Sequence, residues 1–337
     1  MPKVICFGEV LLRLSAPGKE LLLQSPKFAA HVGGAEANVA VALAKLGNAS
    51  AVVSVLPHNA LGEACAGELR RHGVDTRGIV FRDGRMGLYF LTHGAGQRPA
   101  EVLYDRAGSA FAAAPPETID WPEILRGAEW LHVSGITPAV SANGAQAALK
   151  AVQAARTLGV SVSYDCNFRA RLWGERASEA PTLLRELCSY ATLIFGEERD
   201  IAFMFGFDGG SGPAEQRGRR AAEHAFAAFT DLKWIASTAR VRHAADVQQL
   251  VGTLHDRQST YTSKPYSLQG IVDRIGAGDA YAAGILHGLL NGYSPQRTVD
   301  FATAAAVLKH SVPGDFNLVG LADIEALLSE AQMDVRR

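Results

Sequence analysis

The sequence predicts an α/β fold, a mostly parallel central sheet flanked by helices with a small β-sheet lid, and three observations carry that expectation. First, short apolar runs (Val4–Phe7, Ala51–Leu56, Trp130–Ser134, Val160–Tyr164, Leu193–Phe195, Trp234–Ser237) alternate with Ala- and Leu-rich stretches of helical period, among them Ala35–Leu46, Ala60–His72, Gly144–Leu158 and Glu215–Phe229. Strands apolar on both faces need cover on both faces, which helices between parallel strands supply. Second, polar residues fall just after such runs: Glu9, then Asp165 and Asn167, then Glu197 and Glu198. Open parallel sheets bind ligands at the carboxyl ends of their strands, so these residues are expected to converge. Third, Leu11–Val32 and Met86–Phe111 break the rhythm, with β-type residues such as Leu88-Tyr89-Phe90-Leu91 and turn formers at Pro17-Gly18 and Gly94–Pro99. They are expected to pair as a discontinuous lid, 11–32 plus 86–111, over a core of 1–10, 33–85 and 112–337.

Composition narrows the function classes. With 337 residues and 48% hydrophobic composition the chain can bury a large core. A net charge of −1 without a long basic run argues against nucleic acid as a partner. The four cysteines, Cys6, Cys65, Cys166 and Cys188, have no paired spacing, as expected of reduced thiols. No apolar run approaches membrane-spanning length and no signal-like segment precedes Val4, so a cytoplasmic location is expected.

The stretch Asp273-Arg274-Ile275-Gly276-Ala277-Gly278-Asp279 runs into the small, apolar segment Ala280–Leu290. A small-residue turn opening a helix exposes backbone N–H groups beside the positive end of the helix dipole and can hold an anion. Asp279 would repel that anion unless it accepts a proton from a hydroxyl attacking it, as a phosphoryl-transfer base does; an Asp-capped helix is the plain alternative. Gly33-Gly34 with Asn38 one helical turn later suits close approach of a polyol, or else marks an ordinary helix start. Arg106 in Tyr104-Asp105-Arg106 and Arg169 in Asp165-Cys166-Asn167-Phe168-Arg169 come from separate elements and could grip one carboxylate, or pair with Asp105 and Asp165. In the alanine-rich helix Phe301–His310, small residues including Ala305 would let a purine pack, and Asp315 in the following loop could return to the substrate. There is no metal-type histidine pair and no G-x-x-x-x-G-K-[ST] phosphate loop.

In this order, Gly33-Gly34 with Asn38, Asp165-x-Asn167-x-Arg169 and Asp273-x-x-Gly276-Ala277-Gly278-Asp279 resemble the ribokinase/PfkB family of carbohydrate kinases over nearly the whole chain. Within that family, Tyr104-Asp105-Arg106, Arg274 and Pro313-Gly314-Asp315-Phe316-Asn317 resemble the 2-keto-3-deoxygluconate kinases. The resemblance implies a ribokinase-like fold and ATP-dependent phosphorylation of the C6 hydroxyl of the keto acid. It implies Asp279 as general base and Gly276, Ala277 and Gly278 as the anion hole. Gly34, Tyr89, Tyr104, Arg106, Arg169 and Asp315 are the substrate contacts it implies, beside Gly33 and Asn38 from the diglycine reading, and Asn167 is a nucleotide-phosphate contact, with Arg169, Gly276 and Gly278 also at the nucleotide. ATP and Mg2+ are the implied cofactors, with a monovalent cation as an open addition, and a homodimer or larger homo-oligomer is expected.

The sequence departs from the family at two places. Gly196-Glu197-Glu198-Arg199 stands where an N-x-x-E is usual, leaving Glu198, acting through water, as the candidate metal residue. The usual Lys-x-Gly-x-x-Gly nucleotide loop reads Ser237-Thr238-Ala239-Arg240-Val241-Arg242-His243, leaving Thr238 and Arg240 to meet ATP by side chain. Competing expectations are a fructokinase or other sugar kinase, and a catalytically silent sugar-acid-binding regulator.

Overall fold

A computed structural model describes residues 3–208, 210–242, 244 and 247–329. Fourteen strands are present among them: β1 (Val4–Phe7), β2 (Leu11–Ser15), β3 (Ala29–Gly33), β4 (Ser50–Pro57), β5 (Ile79–Arg82), β6 (Leu88–Thr92), β7 (Glu101–Asp105), β8 (Trp130–Ser134), β9 (Ser161–Asp165), β10 (Leu193–Phe195), β11 (Trp234–Arg242), β12 (Val247–His255), β13 (Thr260–Thr262) and β14 (Tyr266–Gln269). Ten form one sheet in the order β13-β12-β11-β10-β9-β8-β1-β4-β5, with β14 also on β12. From β11 to β5 every pairing is parallel.

Successive side chains of a strand point to opposite faces, and β1 shows the result. Ile5 and Phe7 enter one apolar cluster with Val53 and Leu131, while Val4 and Cys6 enter a second with Val52 and Leu43. All eight residues of β4 are buried, so this strand sits in a fully covered region of the sheet. The order reverses between β8 and β1, each leading away on its own side, and such a switch point opens a crevice at the strands' carboxyl ends.

The sheet is mostly parallel, as expected, and turns antiparallel at one end. β12, β13 and β14 join antiparallel, and β11 runs on through Arg242 to pair with β12, so Thr238 and Arg240 lie on a strand rather than in a loop. Thr238 stands opposite Gly252 and Arg240 opposite Leu250. His243 lies outside the described residues.

The two segments that broke the α/β rhythm contribute a separate four-stranded sheet, β3-β2-β6-β7. Its register places His31, Arg13, Tyr89 and Tyr104 in one row across all four strands. β2 alternates between buried and half-buried residues, with Leu11, Arg13 and Ser15 on the buried side. All four cysteines are free and buried, and no helix among the described residues is long and apolar enough to cross a membrane.

Candidate active site

A cleft of about 1120 Å³ opens at the carboxyl ends of β9, β10 and β11, and the small sheet supplies its other wall through Tyr89, Val102 and Tyr104. One pocket of this size holds a sugar-sized molecule with room for a second ligand.

The helix Ala277–Leu290 starts at the cleft. Its N-cap, Gly276, has φ 80°, and a Cβ there would stand 2.0 Å from the carbonyl oxygen of Asp315, so backbone conformation and close packing both require glycine. Among the described residues no backbone carbonyl takes the N–H of Gly278 or Asp279. These are two of the orphan donors that every helix start carries, and they border the cleft with Gly276. Ala277 differs: it is fully buried and its N–H lies 3.4 Å from the carbonyl of Arg274, so it frames the turn without lining the cleft.

Asp279 occupies the first turn of that helix and faces the cleft, and its side chain makes no cap. Its Oδ2 accepts from Asn38 Nδ2 at 2.6 Å. Burial pushes its pKa up to about 7; the Asn38 hydrogen bond opposes this, while the charges of Glu36 and Asp315 add to it. Asn38 is placed by Gly34, which has φ 138° and whose Cβ would come within 2.4 Å of the Glu9 carbonyl oxygen, so the chain passes this point only as glycine. Two residues before Asn38, Glu36 anchors the same helix start: its Oε1 accepts from the N–H and hydroxyl of Ser134 at the end of β8 and from the hydroxyl of Thr137 just beyond it.

Asp165 and Asn167 end β9 at the cleft. Asp165 is pushed up to about 8, by burial first and by Asp279 second. It accepts from the N–H of Asn167, which adopts a left-handed φ of 34° while its Oδ1 stays buried with no hydrogen-bond partner among the described residues. Arg169 borders the cleft from an exposed position, donating to the carbonyl of Phe168.

Arg106 also lines the cleft, but its ion-pair partner is neither Asp105 nor Asp165. Its Nε donates to Glu9 Oε2 at 2.6 Å, with Arg106 7% and Glu9 2% exposed. Ser109 holds the other Glu9 oxygen. Asp105 pairs instead with Arg85. Asp315 comes from the loop after the helix Pro295–Lys309 and reaches Tyr89, whose hydroxyl donates to Oδ2 at 2.7 Å. Burial lifts Asp315 to about 6, against Arg13 and the Tyr89 hydrogen bond.

Three expected contacts are corrected. Gly33 does not line the cleft; it makes room for Asp315, whose Oδ2 would lie 2.2 Å from a Cβ there. Ala305 is fully buried among Leu46, Phe301 and Ile324, packed into the core with no face left for a purine. Glu198 is held by Arg217 at 2.9 Å and lies off the cleft, which is instead lined by its neighbours Glu197, Arg199 and Asp200. Among the described residues no cluster of three or more His, Cys, Asp or Glu could hold a metal ion by itself. Thr238 and Arg240 do line the cleft, on β11. Sequence reasoning missed Arg13, Glu36 and the pairing role of Glu9; the only signal for Glu9 was a charge directly after a buried strand.

Residues 1–318 match the family described as pfkB family carbohydrate kinase, and the chain belongs to it. It is thus a sugar kinase, a phosphotransferase with an alcohol group as acceptor. The chain is 39% identical to 2-dehydro-3-deoxygluconokinase from Thermotoga maritima, whose crystal structure it matches with a TM-score of 0.91 over 98% of this chain and 100% of that one. It is 30% identical to the 2-dehydro-3-deoxygalactonokinase of Haloferax volcanii, over 99% of both chains. With the 2-dehydro-3-deoxygluconokinase of Bacillus subtilis it shares 28% identity over 96% of this chain and 94% of the other.

Proposed function

We propose that the protein is an ATP-dependent sugar-acid kinase that phosphorylates the C6 hydroxyl of 2-keto-3-deoxy-D-gluconate (2-dehydro-3-deoxygluconate), giving 2-keto-3-deoxy-6-phosphogluconate and ADP. The observation that carries this reading is Asp279, a carboxylate poised near neutral pH beside the orphan N–H groups of a helix start, in one cleft with Arg106 and Arg169. A base works best with a pKa near the operating pH. Two arginines in a sugar site suit a carboxylate, since a neutral sugar offers nothing for a second guanidinium to neutralise.

In this mechanism Asn38 holds Asp279 through Oδ2, leaving Oδ1 to take the C6 hydroxyl proton as that oxygen attacks the γ-phosphorus. The bond from phosphorus to the bridging oxygen of ATP breaks, and the N–H groups of Gly278 and Asp279, on the turn that Gly276 opens and Ala277 frames, meet the charge on the transferring group. Arg106, fixed through Nε by Glu9, and Arg169 hold the substrate carboxylate, while Asp315, Tyr89, Tyr104 and Gly34 meet its hydroxyls. Asn167, Thr238 and Arg240 meet the nucleotide. Magnesium keeps most of its waters and takes one or two carboxylates plus phosphate oxygens, so the lack of a protein cage among the described residues fits an ion arriving with ATP. Asp165 and Asp200, both on the cleft wall, are the carboxylates that would meet it through water. Held there, the ion would neutralise charge on the phosphates.

Segments 11–32 and 86–111 act as the lid that keeps water from the transferring group. Leu21 and Leu23, 53% and 77% exposed beside that sheet, support pairing with a second copy of the chain. The test is ATP-coupled ADP release across a panel of 2-keto-3-deoxygluconate, its galactonate epimer, fructose and ribose. Turnover of the keto acid far above the neutral sugars is expected; equal turnover of fructose would sink the substrate assignment, and keto-acid binding without turnover would make the protein a regulator.

A further inference from the structure

The small sheet carries an arginine that does not border the cleft. Arg13, 1% exposed, stands between His31 and Tyr89 in the row across the small sheet. Its Nη2 donates to Asp273 Oδ2 at 2.7 Å, and its Nη1 lies 3.1 Å from Asp315 Oδ1. Among the described residues neither Nη1 nor Nε finds a hydrogen-bond partner, although both are buried. Desolvating a guanidinium is costly and its unmade hydrogen bonds add to the cost, so its placement must be offset by the two carboxylates it faces.

Those carboxylates come from opposite ends of the site's construction. Asp273 opens the signature turn, where its Oδ1 accepts the N–H of Ile275 and its Oδ2 the N–H of Gly314. Asp315 presents the Tyr89 hydroxyl and itself to the cleft. The other charges facing Asp315 are Asp273 and, from the helix Pro295–Lys309, Lys309; Asp279 feels Asp315 across the turn. Lys309 is a poor substitute for Arg13, because its Nζ is spent on the carbonyl of Val312 and burial works against its charge.

We propose that Arg13 is the positioning residue of the substrate site: its guanidinium holds the Asp315 carboxylate in place against Tyr89 at the cleft wall, and ties the small sheet to the Asp273 turn that carries the anion hole. This rests on the reading of Asp315 as a contact to the sugar acid. Without Arg13, Asp273 and Asp315 would face each other as buried like charges and Asp315 would take up a proton at neutral pH, losing its acceptor role.

The experiment compares Arg13→Met, Arg13→Lys, Asp315→Asn and the double variant Arg13→Met/Asp315→Asn. In Arg13→Met the KM for the sugar acid should rise about tenfold or more while the KM for ATP stays within about twofold, and the acid limb of kcat/KM should move to higher pH. Arg13→Lys, a point charge that cannot fork between two carboxylates, should fall between, and it decides the matter if Arg13→Met does not fold. If Arg13 acts through Asp315, its loss adds nothing further to KM in the Asp315→Asn background. A merely structural Arg13 would lower the Tm of the Met and Lys variants and leave KM and the pH limb unmoved, which overturns the proposal, as does full additivity. An Asp315→Asn protein with unchanged KM would instead overturn the substrate-contact reading beneath it.

Discussion

At the end of the cleft formed with the small sheet, charged side chains are held by partners far away in the chain: Arg106 by Glu9, Asp279 by Asn38, and Asp315 by Arg13 and Tyr89. At the end beside β10 and β11 the side chains are half-buried or exposed, Thr238 and Arg240 on a strand, and Arg199 in a surface pair with Glu197. The first arrangement fixes geometry before a ligand arrives; the second leaves geometry to the ligand. On the proposed reading the first end meets the sugar, where discrimination between similar molecules rewards preorganisation, and the second the nucleotide, which needs less of it.

That contrast can be broken most forcefully at Asp279. Asp279→Asn keeps the Asn38 neighbour but removes the carboxylate proposed as the base, so kcat should fall by about 10²–10⁴ with both KM values within about threefold, measured by coupled ADP release. Next comes the arginine pair. Arg106→Ala strands Glu9 as an unpaired buried charge, which should cost about 3–5 kcal/mol in denaturant unfolding as well as raising the KM for the acid. Arg169→Ala, at an exposed position, should leave Tm unchanged and reduce the preference for acid over neutral sugars about tenfold. At the other end, Thr238→Ala and Arg240→Ala should each raise the KM for ATP only about two- to fivefold and leave the sugar KM alone. Glu198→Gln, in a residue already committed to Arg217, should change kcat by less than about twofold.

A gentler probe uses protons. Asp279 and Asp165 sit at about 7 and about 8 in the folded chain, above the ordinary aspartate value near about 4. The folded state therefore binds more protons than the unfolded one between about pH 4 and 8, and this pair's contribution to stability falls as pH rises through that window. The drop in Tm of the ligand-free protein from pH 5 to pH 8 should be shallower in Asp165→Asn; an unchanged slope would show that Asp165 does not hold its proton.

The same contrast explains what the sequence made legible. The parallel core could be read because β1 and β10 are wholly apolar and β4 and β8 nearly so, and the Asp279 turn because glycine, alanine and aspartate at a helix start leave few chemical uses. Arg13 could not, since one arginine in an alternating strand looks like a solvent-facing residue until its partners, 260 positions away in the case of Asp273, are placed. The Glu9–Arg106 pair spans 97 positions and escapes local reading for the same reason. Ala305 misled because small residues mark both ligand platforms and tight helix packing, and burial alone separates the two. Glu198 misled because adjacent carboxylates on a helix start point different ways.

The most direct test is the pH dependence of kcat/KM for the sugar acid in the wild type and in Asp279→Asn. The wild-type rate should fall tenfold per unit below a limb near pH 7, where Asp279 titrates, and the residual rate of Asp279→Asn should lack that limb. A limb near pH 7 that persists in Asp279→Asn, as distinct from one near 6 where Asp315 titrates, or a variant that keeps full activity, would contradict the account.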